Sequence, residues 1–206
     1  MTHPSLAERI LPRRALPTAT AGAILVAMFL FGALRFDHFA SMSNASNVLG
    51  EYAYVGIAAV GATFVILSGG IDLSSGAVVA FTGILTAKLA QAGHHPLEAL
   101  VLGLALGASF GALMGWLIEF FALPAFMVTL AGMFAARACG FIIHDQSMSI
   151  KHAFCTWVSR HAEFAVAGFA FPMRSVLFLA VLAAGMLVLT RTAFGRNVYA
   201  LGGSEK

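Results

Sequence analysis

The sequence predicts an all-α fold, a polytopic integral membrane helical bundle of about six transmembrane helices, and three observations predict it. Six apolar stretches, each about long enough to cross a bilayer, crowd into 206 residues; only 10% of those residues are charged; and the mean hydropathy is +0.89. A hydrocarbon core of roughly 30 Å needs about 20 mostly apolar residues at a helical rise of roughly 1.5 Å each, and a backbone in lipid must satisfy its own hydrogen bonds. A β-barrel would alternate apolar and polar residues, and the run Val181-Leu182-Ala183-Ala184-Gly185-Met186-Leu187-Val188-Leu189 does not.

The first window, Ala19 to Leu34, follows Arg9, Arg13 and Arg14 as the core of a signal peptide would. It is long, lacks a clean small-residue cleavage site and precedes more spans than a secreted protein has, so it reads as a retained first helix behind a segment at 1–18. The second and third windows, Tyr52 to Leu67 and Gly76 to Ala92, are shorter than a comfortable crossing. Between them lies Leu67-Ser68-Gly69-Gly70-Ile71-Asp72-Leu73-Ser74-Ser75-Gly76. Gly69 and Gly70 break the helix, and Asp72, Ser74 or Ser75 can cap the next one by accepting bonds from its free N–H groups. Two readings stay open for this linker. One is a tight cytoplasmic turn with ordinary capping; the other is a break between half-helices inside the membrane, where the open helix ends and the Asp72 carboxylate face a polar path.

The fourth window, Leu97 to Phe121, carries Gly103, Gly107, Gly111 and Gly115 on nearly one face, a stripe that lets a neighbouring helix approach closely. Glu119 reads as a residue of that helix's cytoplasmic end. Pro124 reads as the start of the fifth window, Phe126 to Ile143, because its missing N–H costs nothing in a first turn. Arg137 falls well inside that window. A charge at mid-bilayer costs roughly 2.5 to 3.5 kcal/mol on insertion scales, so Arg137 should face the bundle interior, a carboxylate or a carbonyl; the plainer reading is that it snorkels toward the outer surface.

The largest extramembrane piece is the loop 144–174, with His144, Asp145, His152, His161 and Glu163. No HExxH and no fixed short spacing occurs, so no metal site is assigned; a membrane-embedded metalloenzyme using these histidines would predict stoichiometric zinc. Ala153 to Ala167 is expected as a short interfacial helix with Phe154, Trp157 and Phe164 toward lipid. Ser175 to Leu189 is the sixth window, closing a transmembrane domain at 19–189, and 190–206 is a tail.

Lys and Arg set the orientation. With the N-terminus cytoplasmic, six crossings return the C-terminus to the cytoplasm and place Arg9, Arg13, Arg14, Arg191, Arg196 and Lys206 inside, against Arg35, Lys151, Arg160 and Arg174 outside. Lys88 and Arg137 lie within spans. The net charge of +3 is carried by scattered residues that fit this topology and give no sign of a nucleic-acid partner. Cys139 and Cys155 form neither a disulfide framework nor a CxxC pair. No GxxxxGK[ST] occurs, and the pairs Gly69-Gly70 and Gly202-Gly203 lack the lysine of a phosphate loop, so the energy source is a gradient or another subunit. No constellation for covalent catalysis and no cofactor site is read; the chain is expected not to be an enzyme.

Three strings carry a resemblance. Gly56-Ile57-Ala58-Ala59-Val60-Gly61-Ala62-Thr63-Phe64-Val65-Ile66-Leu67-Ser68-Gly69-Gly70-Ile71-Asp72-Leu73-Ser74, then Leu123-Pro124-Ala125-Phe126 with Thr129-Leu130-Ala131-Gly132-Met133, and Arg191-Thr192-Ala193-Phe194-Gly195-Arg196-Asn197-Val198-Tyr199-Ala200-Leu201-Gly202-Gly203 resemble permease subunits of bacterial monosaccharide ABC importers, the ribose and galactofuranose type. The galactofuranose-type branch is the nearer. The resemblance runs from the first helix onward and implies a multi-pass protein of the bacterial inner membrane. It also implies a second permease subunit, homo- or heterodimeric, two ATP-binding cassette ATPases, a periplasmic sugar-binding protein and a monosaccharide substrate.

By that resemblance Gly69, Gly70, Asp72, Ser74 and Ser75 shape a broken-helix region on the substrate pathway, with Arg137 a further pathway candidate, and Gly195, Arg196, Tyr199, Gly202 and Gly203 lead into the ATPase contact. Family permeases are longer and have more crossings, so the chain is expected to be the N-terminal portion of one. A different class of reading is a truncated, non-transporting membrane interaction protein that pairs with an intact permease through its glycine-rich faces.

Overall fold

The computed structural model describes residues 16–146, 148, 150, 152–161, 163–166 and 169–203. The basic cluster Arg9, Arg13 and Arg14, with Lys151 and Lys206, lies outside them.

All six predicted windows are helical. In chain order the elements are α1 (Leu16–Arg35), α2 (Met42–Glu51), α3 (Ala53–Leu67), α4 (Ser75–Gln91), α5 (Pro96–Phe120), α6 (Ala125–Ile143), α7 (Ala153–His161), β1 (Glu163–Val166), β2 (Phe169–Pro172), α8 (Met173–Arg191) and α9 (Ala193–Gly203). Three of them, α5, α6 and α8, are each long and apolar enough to cross a membrane, and the bent pair α2 and α3 supplies a fourth if it is counted as one span. The helices flanking the glycine linker are shorter, with 15 residues in α3 and 17 in α4. At a rise of roughly 1.5 Å per residue these reach about 22 and 26 Å, less than the roughly 30 Å of a hydrocarbon core.

The described residues fall into two compact units, one up to Val48 and one from Leu49 onward. In the first, the ring of Phe39 folds back beside Phe29, with centroids 5.6 Å apart, over Gly32, where any Cβ would meet that ring. Asn44 fixes the turn by donating from Nδ2 to the Phe39 carbonyl at 2.8 Å.

The second unit is built from two packed groups. In one, α4 runs parallel to α6 and antiparallel to α5: Gly140 of α6 faces Ile84 and Phe81 of α4, while Gly103 and Gly107 of α5 face Thr86, Thr82 and Val78. In the other, α3 and α8 run parallel, Gly56 facing Phe178 and Gly185 facing Val60, and α9 packs on both. The buried positions are mostly small, among them Ala53, Ala77, Ala87, Ala99 and Ala136, while Leu104 and Ile142 are 66% and 84% exposed. This is the inversion expected of helices in lipid, where apolar side chains gain nothing by leaving the surface and small residues let backbones approach.

The glycine ladder of α5 divides. Gly103 and Gly107 pack on α4, but Gly111 and Gly115 have open space around them. The reason is length, since the 25 residues of α5 run on past the start of α4. The expected interfacial helix is also shorter. It ends at His161, and an antiparallel hairpin follows with Glu163 opposite Pro172 and Val166 opposite Phe169. The alternating, aromatic-rich Glu163-Phe164-Ala165-Val166 and Phe169-Ala170-Phe171-Pro172 favour strand over a further helical turn. Trp157 is 59% exposed, as expected, whereas Phe154 packs on the ring of His95 with centroids 5.1 Å apart; the Phe164 side chain lies outside the described set.

Candidate functional site

The linker between α3 and α4 is built from two local devices. At the end of α3, Gly70 N–H donates to the Val65 carbonyl at 2.9 Å and Gly69 N–H to the Ile66 carbonyl at 3.0 Å. This bond pair is a Schellman motif, which places a left-handed residue at its turn; Gly69 takes that place with φ +82°. At the start of α4, Asp72 Oδ1 accepts from the Ser74 backbone N–H at 2.7 Å and from the Ser74 hydroxyl at 2.6 Å. Ser74, 1% exposed, occupies the N-cap position but makes no side-chain cap bond; it donates its hydroxyl to Asp72 instead, which forms a turn ahead of the helix. Ser75 opens α4 and is half-buried.

Two other elements hold the extended middle of the linker. Thr129, buried one turn into α6, donates toward the Ile71 carbonyl at 3.0 Å, with its own Ala125 carbonyl at 2.9 Å as the alternative acceptor. On the other side α9 comes against the last residue of α3. A Cβ on Gly202 would overlap the Leu67 carbonyl and lie 3.4 Å from Gly69 N. The two residue groups singled out separately in the sequence, the Gly69–Ser75 linker and the Gly195–Gly203 tail, therefore meet at Gly202.

The way α9 turns back explains the meeting. Thr192 Oγ1 caps it by accepting from Gly195 N–H at 3.2 Å, and Gly195 lies so close to the Val188 and Leu189 carbonyls that a side chain has no room. Gly195 and Val198 are buried and, with Gly202, form the inward stripe at helical spacing; Arg196 and Tyr199 point away and are exposed. Gly203 has open space around it.

Arg137 is not part of this arrangement. It lies on α6 about 12 Å beyond Thr129 at roughly 1.5 Å per residue, toward the end remote from the linker. Its side chain is exposed and lines a cavity of about 250 Å³ between α4 and the end of α6, shared with Phe81, Ile84, His144, Asp145 and Gln146. No ion pair joins Arg137 to Asp145 among the described residues.

Near the same end, His95 Nδ1 accepts from Leu97 N–H and caps α5, while His152 Nδ1 accepts from Phe154 N–H at the start of α7. The two rings stand 6.1 Å apart. Among the described residues no three His, Cys, Asp or Glu side chains come together as a metal would require.

Sequence reasoning missed Leu67, Thr129 and Val198. Thr129 carried a signal, a hydroxyl in the opening turn of an apolar span. The role of Leu67 lies in its carbonyl, which no sequence pattern marks.

Residues 44–206 match the family described as branched-chain amino acid transport system / permease component. Over 193 residues the chain is 42% identical to the inner membrane ABC transporter permease protein YjfF of Escherichia coli, a match covering 93% of this chain and 58% of that protein. It is 35% identical to the fructose import permease protein FruG of Bifidobacterium longum, over 95% of this chain and 59% of FruG. With the ribose import permease protein RbsC of Escherichia coli it shares 31% identity, over 89% of this chain and 57% of RbsC. The chain thus spans somewhat more than half the length of the curated relatives it matches. No solved structure is significantly similar to it.

Proposed function

This chain belongs to the branched-chain amino acid transport system / permease component family, and from that premise we propose that it forms part of the solute path of an ABC-type importer of monosaccharides. The family description speaks of amino acids, but the relatives whose names state a cargo are named for fructose, D-allose and ribose, which supports a sugar.

Separate ATP-binding cassette subunits drive the transport, a second permease subunit completes the path, and a periplasmic binding protein delivers the sugar. The N-terminal segment 1–18 and the linker end of the bundle face the cytoplasm, and the loop 144–174 faces the periplasm of the inner membrane. The linker Gly69, Gly70, Asp72, Ser74 and Ser75 borders the path. The outward face of α9, with Arg196 and Tyr199, meets the ATPase, while Gly195 and Gly202 set the angle of α9 against the bundle and Gly203 leads into the ATPase contact.

One observation carries the reading: the helix that would meet the ATPase rests at Gly202 on the carbonyl that begins the linker. A displacement of α9 toward the bundle would press directly on the start of the linker. The test is uptake by the complete permease in its native membrane complex, reconstituted with ATP inside the vesicle and a panel of labelled pentoses, hexoses and branched-chain amino acids outside. ATP-dependent uptake of one monosaccharide is the expected result. Uptake of amino acids alone, or of nothing on the panel, overturns the proposal.

A further inference from the structure

The cavity beside Arg137 has a composition of its own. Its wall between α4 and α6 is apolar, formed by Phe81, Ile84 and Phe141 over small residues, and two opposite charges, Arg137 before that level along α6 and Asp145 beyond it, also line it without pairing to each other. A charge inside a span is retained against a cost of several kcal/mol unless something polar meets it. The wall would suit an acyl chain and the two charges a zwitterion.

We propose that this cavity binds a zwitterionic aminophospholipid, a phosphatidylethanolamine, with the phosphate on Arg137 and the ammonium on Asp145. The order of the charges along the helix fits. Arg137 lies about 9 Å before the end of α6 at roughly 1.5 Å per residue, whereas Asp145 stands beyond that end. In a phospholipid the phosphate is likewise the deeper group and the ammonium the shallower. A guanidinium matches a phosphate with paired N–H donors, and a primary ammonium can donate hydrogen bonds to a carboxylate, which a choline cannot. His144 and Gln146 supply the remaining polar lining. At about 250 Å³ the cavity is smaller than the roughly 300 to 1,000 Å³ of sites that enclose a whole ligand, so it takes the headgroup and the top of one chain and leaves the rest in the bilayer. The site is remote from the linker and does not rest on the transport reading.

The test is native mass spectrometry of the protein from nanodiscs of defined lipid, scored as lipid retained per protein. Phosphatidylethanolamine is expected to be retained roughly tenfold over phosphatidylcholine and phosphatidylglycerol, the scale of one lost hydrogen bond to a charged group. Asp145→Asn is expected to remove the preference over phosphatidylcholine and shift it toward phosphatidylglycerol, since the guanidinium is then left alone with the anion. Arg137→Gln is expected to abolish retention of both phosphatidylethanolamine and phosphatidylglycerol. If Arg137→Gln fails to insert, Asp145→Asn decides alone, because that exposed residue lies outside the helix. Equal retention of the three lipids, a wild-type preference for phosphatidylglycerol, or a preference unmoved by Asp145→Asn overturns the proposal.

Discussion

Gly202 of α9 lies against the carbonyl of Leu67 so closely that any side chain at 202 would overlap it. The neighbouring Gly203 faces open space. This difference between adjacent glycines separates a packing requirement from mere helix flexibility. Gly202→Ala must push α9 away from the linker, an overpacking strain of about 1 to 3 kcal/mol, and is expected to lower the melting temperature and the uptake rate together. Gly203→Ala should change stability by less than about 0.5 kcal/mol. Equal effects of the two substitutions, in a thermal-shift assay and an uptake assay run side by side, would remove the contact from the coupling argument.

Asp72 has a structural role and a proposed one, and two substitutions distinguish them. The structural role is a turn ahead of α4, in which Oδ1 accepts from the Ser74 N–H and hydroxyl. Asn keeps an acceptor oxygen and loses the charge; Ala loses both. Asp72→Ala is expected to cost about 1 to 2 kcal/mol of stability, the scale of lost hydrogen bonds to a charged group, and Asp72→Asn much less. If the carboxylate also borders the solute path, Asp72→Asn lowers uptake while the melting temperature holds. Unchanged uptake in Asp72→Asn would leave Asp72 a turn-forming residue and nothing more.

Thr129 tests the other side of the linker. Its hydroxyl is buried and reaches the Ile71 carbonyl at 3.0 Å across two elements. Thr129→Val keeps the shape and removes the donor, so the expected loss is about 1 to 2 kcal/mol. Thr129→Ser, which keeps the hydroxyl, should recover most of it. A Val variant as stable as the wild type would show that the bond does not hold the linker, and a Ser variant as unstable as the Val variant that the methyl group contributes as much as the bond.

How much of this arrangement the sequence disclosed differs from residue to residue, for physical reasons. Apolar length marked the six windows because it is summed over many residues, and Gly69-Gly70 marked the break because a left-handed turn has few alternatives to glycine. The length of α7 was misread because Ala153 to Ala167 suits a helix locally while the residues beyond His161 pair as strands. Phe154 was assigned to lipid because nothing local shows that His95 lies beside it. Half of the α5 glycine ladder was over-read, since a stripe of small residues shows that a helix can approach but not how far the partner extends. The meeting of Gly202 with Leu67 was out of reach, because it depends on a backbone carbonyl and on the corner at Gly195.

A turn read off the structure as strained offers a gain instead of a loss. Ala122 ends α5 with φ +50°, in the left-handed region, and Leu123 N–H closes the turn onto the Ile118 carbonyl at 3.1 Å. An alanine Cβ there crowds its own backbone, at a cost of about 1 to 2 kcal/mol, which glycine avoids. Glycine also gives the unfolded chain more freedom, which offsets part of the benefit by about 0.4 to 1 kcal/mol. Ala122→Gly is therefore expected to stabilise by up to about 1.6 kcal/mol, read as a rise in melting temperature in detergent. A fall would mean that the unfolded-state entropy outweighs the relief of the turn.

The depth of the linker can be read with one cysteine, provided the position is chosen from the structure. Ser74 is unsuitable because it is 1% exposed and its hydroxyl is bonded to Asp72. Ile71 is 55% exposed, and its backbone carbonyl is the part that Thr129 holds, so Ile71→Cys presents a thiol without loosening the linker. In a background of Cys139→Ser and Cys155→Ser, a linker at the cytoplasmic surface should react only with membrane-permeant thiol reagents and be indifferent to sugar. A linker bordering the path should be protected when the transported sugar is present. If the ends of α3 and α4 remote from the linker lie at the membrane surface, their reaches of about 22 and 26 Å against a core of roughly 30 Å keep the linker short of the opposite plane, and protection by sugar is then the expected outcome. Labelling by an impermeant reagent added from the periplasmic side, with no sugar present and no ATPase turnover, would reverse the orientation proposed for the whole bundle.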